Sequence, residues 1–243
     1  MDFKKYTWIR TRDGSPTLWS NEDGASFRSQ KGAFTESWKA FVEPALRRCE
    51  KLRGDGTAPE LVVGEFGLGP GTNWMLWNLA CEARGLRCAH FAIERETGSF
   101  AEGLAQWEAS ANEIAAFLLS QGLLLEASEI PSQLRAAAAR LRVHPSIEAA
   151  LAAGEKADLW FHDPFGFELN PEAYGPEMLE LCRQLWKERA WGASYACNRA
   201  FQRNLLALPG LRVSLEDAAR DGLKRERLEF DFEAPEVGPK GPI

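Results

Sequence analysis

Three short segments of the sequence hold residue types that could do chemistry. The first is Glu65–Asn73, which reads EFGLGPGTN. Gly67, Gly69 and Gly71 remove side chains where a backbone must turn sharply and approach a ligand. A dinucleotide-phosphate turn wants G-x-G-x-x-G and an anion at the following helix N-terminus. Here the spacing is G-x-G-x-G, and Glu65 stands where a pyrophosphate would be repelled. An acid at that point suits a ligand bearing positive charge, such as the ammonium and sulfonium of S-adenosylmethionine. No G-x-x-x-x-G-K-[ST] occurs, which speaks against a nucleoside triphosphatase. A purely structural glycine turn is the plainer alternative.

The second segment is Arg87–Glu94 (RCAHFAIE), a strand pattern ending in an acid. Glu94 follows the turn at close to the roughly 20-residue offset at which an acid clasps ribose hydroxyls in such folds. A carboxylate can accept both hydrogen bonds of a vicinal diol; the plainer alternative is a surface pair with Arg95 or a lysine. The third is Ala157–Phe167, where Asp163 is flanked by Trp160, Phe161, His162, Pro164, Phe165 and Phe167. An acid in apolar surroundings can have a raised pKa and take a proton from an amine nucleophile. The aromatic residues could stack a base or simply pack the core.

The elements that must position these residues follow from periodicity. Residues 1–33 combine turn formers with short β-type runs and predict a hairpin-rich extension. Apolar residues at 3–4 spacing predict an amphipathic helix over 35–53. Strand patterns at 61–63, 87–93, 157–162 and 191–197 alternate with helices expected over 74–84, 99–140 (broken near Gly122 and Pro131), 176–189 and 198–206. Residues 141–143 can form a short strand, and 211–213 with 228–232 a closing antiparallel pair. This order predicts an α/β fold: a doubly wound, mostly parallel, Rossmann-like sheet carrying an N-terminal hairpin and helix. The expected organisation is an extension over 1–57 packed on the core, a main domain over 58–233 and a Pro/Gly-rich flexible tail over 234–243. In such sheets ligands bind at the carboxyl ends of the strands, where Glu65–Asn73, Glu94 and Asp163 all fall.

Composition narrows the partners. Of 243 residues, 45% are hydrophobic and 26% charged, enough for one well-buried α/β core. No apolar run approaches the roughly 18 residues of a membrane span, and the basic start MDFKKYTWIR has no apolar stretch behind it, so a soluble cytoplasmic protein is expected. The five cysteines are scattered and the three histidines lack zinc spacing, so no metal is expected. The formal charge of −6 argues against non-specific wrapping of nucleic acid. A local basic patch could still bind phosphates, and basic residues do cluster near both ends and at Arg47–Arg53.

On these residues the sequence resembles the methyltransferase domain of the MnmC family of tRNA-modifying enzymes, including stand-alone relatives that lack the FAD-dependent oxidase domain. The family's E-x-G-x-G-x-G-x-N-[FW] turn is matched by Glu65, Gly67, Gly69, Gly71, Asn73 and Trp74. Its F-x-x-x-E strand end is matched loosely by Phe91-Ala92-Ile93-Glu94. Its W-F-x-D-x-F…N-P segment is matched by Trp160, Phe161, Asp163, Phe165, Asn170 and Pro171. Further matches are Pro16–Ser20, Ser29, Gly32, Ala33, Glu36 and Ser37 near the start, and Gly222, Lys224, Arg225 and Glu226 near the end.

The resemblance implies a class I methyltransferase fold with S-adenosylmethionine as cofactor. The implied reaction is methylation of the primary amine of 5-aminomethyl(-2-thio)uridine at the wobble position, in the anticodon region of tRNA. It implies Glu65, Gly67, Gly69, Gly71, Asn73 and Glu94 for the cofactor and Asp163 for the amine proton. Phe165, Asn170 and Pro171 would lie at the substrate, Lys224 and Arg225 at tRNA phosphates, and a separate FAD-dependent oxidase is a possible partner.

The sequence departs from the family at Leu169 (usually lysine), at Ala196-Cys197 (usually Thr-Ser), and at Val143–Ser146, which lacks the acid expected for the adenine amino group. Two alternatives stand beside this reading: a methyltransferase of the same fold acting on a small amine or a protein, and a non-catalytic module that binds RNA or a partner. Retention of Glu94 and Asp163 speaks against the second.

Overall fold

The chain opens with a small antiparallel sheet of β1 (Tyr6–Arg10), β2 (Pro16–Ser20) and β3 (Ala25–Ser26). It is followed by α1 (Ala33–Ser37), a π turn (Trp38–Val42) and α2 (Glu43–Leu52). The expected helix is thus present but widens just before Pro44, which has no N–H to offer the carbonyl four residues back. The computed structural model describes residues 5–52, 60–217 and 226–232. The expected boundary near 57, Lys224, Arg225 and the tail 234–243 lie outside the described residues.

The remaining elements alternate. They are β4 (Leu61–Phe66), α3 (Thr72–Ala83), β5 (Cys88–Ile93), α4 (Gly98–Ala109), α5 (Ala111–Ser120), α6 (Ile130–Ala138), β6 (Arg142–His144) and α7 (Ile147–Ala152). Then come β7 (Ala157–His162), a 3-10 turn (Pro171–Tyr174), α8 (Pro176–Arg183), β8 (Trp186–Ser194), α9 (Arg199–Leu206), β9 (Leu211–Asp217) and β10 (Glu226–Phe232). Seven strands form one sheet in the order β6-β5-β4-β7-β8-β10-β9. The first five are parallel, and β10 lies antiparallel to both its neighbours. This is the predicted doubly wound α/β sheet, with the strand order reversing at β4.

Several expected boundaries move: the helical run also breaks at Ser110, and the strand expected to reach Cys197 ends at Ser194. The helix expected to reach Arg189 ends at Arg183, and β8 starts at Trp186. Lys187-Glu188-Arg189 are good helix formers, but buried Trp186 packs against Trp160, Phe230 and Phe232 and draws the segment into the sheet. Arg189 absorbs the mismatch in a left-handed conformation, φ 66°. Pro131 starts α6 rather than breaking a helix, because the first turn needs no N–H from it.

Side chains alternate across β7, so its two large aromatics part company. Phe161 joins Phe41 and Trp77 in the core on one face of the sheet, and Trp160 joins Phe91 and Trp186 on the other. Phe34, Trp38, Phe41 and Leu46 share the first of these cores with α3, so the N-terminal elements are packed on the sheet rather than appended to it.

α4 is pressed onto the glycine turn. Trp107 Nε1 donates to the Pro70 carbonyl at 2.8 Å, and a Cβ on Gly103 would collide with that same carbonyl. Gly103→Val should therefore cost about 1–3 kcal/mol of stability through overpacking, read as a lower urea midpoint. An unchanged midpoint would mean that α4 can withdraw from the turn.

Candidate active site

Parallel pairing carries on one residue beyond the strand ends. Phe66 lies opposite Ile93 on one side and His162 on the other. Past them, Gly67 N donates to Ile93 O at 3.1 Å, Asp163 N to Phe66 O at 2.9 Å, and Glu94 N to His144 O at 2.9 Å. The ladder thus delivers Gly67, Glu94 and Asp163, distant in sequence, to one edge of the sheet where the strand order reverses. A cleft of about 1380 Å³ opens above them.

Of the residues singled out in the sequence, Gly67, Gly69, Glu94, Asp163, Phe165 and Asn170 line this cleft. Glu94 is tied at both oxygens, accepting from Gly69 N at 3.0 Å and from Glu96 N at 2.9 Å, so it braces the turn it faces. Phe165 packs edge-on against Phe27, with centroids 4.9 Å apart, and Asn170 Nδ2 closes the loop onto Phe165 O.

Glu65, Gly71 and Asn73 do not line the cleft. Strand alternation turns Glu65 beneath the glycine turn, where it is fully buried. Its Oε1 accepts from Asn73 Nδ2 at 2.9 Å, and His90 Nε2 lies 3.1 Å from Oε2. Pro171 is exposed outside the cleft and begins the 3-10 turn.

Asp163 is where the charges meet. Asn73 Nδ2, already bonded to Glu65, also donates to Asp163 Oδ2 at 2.8 Å. Arg28 Nη2 forms an ion pair with the same oxygen, and Arg28 Nη1 lies 3.8 Å from Glu36 Oε1. Glu36 also accepts from Ser29 N at 3.2 Å and from the Tyr195 hydroxyl. Burial pushes the Asp163 carboxyl up to about 6, against the pull of Arg28. Burial and the nearby Asp163 push Glu36 up to about 7.

Arg28, Glu36 and Tyr195 line the cleft, and none of the three was picked out as a site residue from sequence. Glu36 sits in the N-terminal resemblance pattern, but nothing in the spacing says that this segment folds over the end of β7. The acid missing from Val143–Ser146 has a neighbour just beyond, because Glu148 in the first turn of α7 lines the cleft with Ser146. Among the described residues no group of three or more His, Cys, Asp or Glu side chains could hold a metal ion, and no helix is long and apolar enough to cross a membrane.

A family model for S-adenosyl-L-methionine-dependent methyltransferases matches residues 109–230. The chain belongs to that family. The matched span holds Asp163 and its loop but not the glycine turn, so the turn's place in this methyltransferase rests on the sheet geometry above. Among solved structures, the crystal structure of MNMC2 from Aquifex aeolicus is similar at 25% identity and a TM-score of 0.67, over 96% of this chain and 72% of that one. The crystal structure of spermidine synthase from Thermotoga maritima shares the fold, with a TM-score of 0.57 and 12% identity over 96% of this chain and 71% of that one. No curated protein matches.

In this methyltransferase Gly67 joins the turn to the loop after β7. Its φ is +89°, and a Cβ there would collide with the Asp163 backbone carbonyl and come within 2.7 Å of Pro164 Cα. Gly67→Ala should combine left-handed strain with displacement of the Asp163 loop, costing about 2 kcal/mol or more. Thermal unfolding together with S-adenosylmethionine titration checks this. Wild-type stability and affinity in the variant would show that the two loops are not locked together.

Proposed function

We propose that this methyltransferase converts the primary amine of 5-aminomethyl(-2-thio)uridine, at the wobble position of tRNA, to the methylamino form. The observation that carries the reading is a partly buried carboxylate, Asp163, at the strand-end cleft beside an aromatic loop. The MnmC-like segments Glu65–Trp74 and Trp160–Pro171 and the likeness to MNMC2 support it.

The residues present fit the cofactor. Gly67 and Gly69 leave bare backbone along one wall of the cleft, where a Cβ would intrude on Asp163 or on Phe27. Glu94 retains lone pairs beyond its two backbone bonds and would accept from the ribose hydroxyls. Ser146 and Glu148 would face the adenine. Glu65, Gly71 and Asn73 act one layer below, fixing the turn and the underside of Asp163.

S-adenosylmethionine supplies an electrophilic methyl on a sulfonium, which a neutral amine displaces in line. The protein's tasks are then to position the amine and hold its proton. Asn73 and Arg28 both meet Asp163 at Oδ2, and Oδ1 would accept from the amine. Phe165 and Asn170 would flank the base, and Pro171 would shape the loop. Lys224 and Arg225 would meet phosphates of the anticodon region, and a separate FAD-dependent oxidase would provide the amine.

A second reading has its own observation. The cleft wall carries Glu22, Asp23, Glu96, Glu148, Glu168 and Glu172 against exposed Lys5 and Arg95, and Leu169 replaces the lysine that the resemblance expects. Such a field favours a small cationic amine over a polyanion. Incubation with labelled cofactor and tRNA carrying 5-aminomethyluridine should yield 5-methylaminomethyluridine. Asp163→Asn should bind cofactor normally yet lose about 10²-fold or more in turnover. Absence of the methylated nucleoside with cofactor bound would sink the tRNA reading and send the search to small amines.

Glu94→Ala should weaken cofactor binding by about tenfold or more, the worth of a charge-assisted hydrogen bond, in isothermal titration. Unchanged affinity would leave Glu94 as a brace for Gly69 alone.

A further inference from the structure

The N-terminal extension reaches the reacting centre through one residue that neither the family match nor the motifs assign. Arg28 sits in the loop between β3 and α1, and its side chain is 5% exposed. Its guanidinium touches Asp163 Oδ2, approaches Glu36 Oε1 at 3.8 Å and lies over the Phe41 ring at 5.8 Å. We propose that Arg28 is the positioning residue of the acceptor site, clamping Asp163 by Oδ2 so that Oδ1 faces the cleft. This inference rests on the amine-methylation reading for its catalytic meaning, but its geometry stands apart from which amine is used.

The clamp has two arms that use the same oxygen. Arg28 comes from outside the sheet and Asn73 from α3, so Oδ2 is gripped from two directions and the carboxylate plane is fixed. A carboxylate gripped at one oxygen keeps the other for substrate, as a proton acceptor must. Asn73 is neutral, which leaves Arg28 as the cation nearest Asp163.

The remaining charges facing Asp163 all oppose ionisation. Glu36 approaches from α1 and Glu65 from β4, and Tyr174 from the 3-10 turn has its own hydroxyl pushed up by burial and then by the same carboxylate. His162, next along the chain, is buried and held neutral, its pKa pushed down to about 3. Glu36 competes with Asp163 for the guanidinium, but at 3.8 Å it holds no hydrogen bond to it. Instead it is bonded to Ser29 N and Tyr195, and its raised pKa leaves it partly protonated near neutrality. The weaker of the two claims on Arg28 is thus partly silenced where the stronger one is needed.

Removing Arg28 should raise the Asp163 midpoint, because burial and the two glutamates are then opposed only by the neutral donor Asn73. The test is a carboxyl-stretch infrared titration of the full chain, with the Asp163 band assigned by Asp163→Asn. In R28M the midpoint should rise from about 6 by about one pH unit or more. The acid limb of the pH–rate profile with 5-aminomethyluridine tRNA should move with it, so that activity lost at neutral pH returns at alkaline pH. A merely structural role would depress activity at every pH. R28K keeps the charge without the planar fork, so its midpoint should stay nearer to wild type while kcat still falls.

Should R28M not fold, the wild-type chain itself decides. The Arg28 guanidinium resonance in ¹⁵N-labelled protein should titrate with the Asp163 carboxyl and stop doing so in Asp163→Asn. An unmoved Asp163 midpoint in folded R28M, or an Arg28 resonance blind to Asp163, overturns the proposal. Failure of wild type to methylate the tRNA, with the titrations as expected, would overturn the acceptor reading and leave Arg28 in place.

Discussion

A carboxylate buried at the end of a β-strand is costly unless donors and a counter-charge meet it, and in this fold that requirement falls on Asp163. Its amide is fixed by the Phe66 carbonyl, its Oδ2 by Arg28 and Asn73, and Asn73 is fixed in turn by Glu65. Through Glu65 the chain of contacts reaches His90 on β5. The loop after the small N-terminal sheet, β4, α3 and β5 all converge on one side chain. The N-terminal segment packs its helices into the central core, and by the same packing it delivers the guanidinium that the carboxylate needs.

The glycine turn answers a different constraint. Three parallel strands end in register, so the loops leaving them are crowded into the width of a few peptide units. Only a residue without Cβ fits at Gly67 against the Asp163 carbonyl, and only one fits at Gly103 beneath Pro70. Bare backbone is forced first by the packing of loops on one another. The same bareness would leave room for the proposed nucleoside cofactor, so packing and binding would draw on one feature rather than compete for it.

Much of this was legible in the sequence, for identifiable reasons. The succession of elements, the sheet class and the convergence of Gly67, Glu94 and Asp163 follow from the alternation of apolar runs and helices, which is set locally. The extended β8 was not legible, because Trp186 is drawn into the sheet by aromatic partners up to 46 residues away. Nor could spacing show that Glu65 turns under the sheet, since a one-residue alternation decides which way a strand-end acid points. Arg28 and Glu36 stayed hidden for a third reason. Their partners are distant in sequence, and a lone arginine in a turn-rich segment carries no periodic signal. Local patterns reveal elements, whereas pairs across elements appear only once the elements are packed.

The distribution of charge around Asp163 links stability to binding. Glu36, Glu65 and Asp163 face one guanidinium and one imidazole, so the site holds more acid than base. Asp163 and Glu36 have folded-state pKa values above their ordinary ones, at about 6 and about 7, so the folded chain binds these protons more tightly than the unfolded chain does. The stability they contribute is therefore complete in acid and is lost as pH rises through that range. A cation entering the cleft reverses the trend, since it favours the ionised carboxylates and adds its binding energy to the folded state alone. The site contributes least stability at the pH where its carboxylates are ionised, and a positively charged ligand would offset that loss. The same electrostatics would favour a positively charged ligand such as the sulfonium cofactor before any specific contact is made.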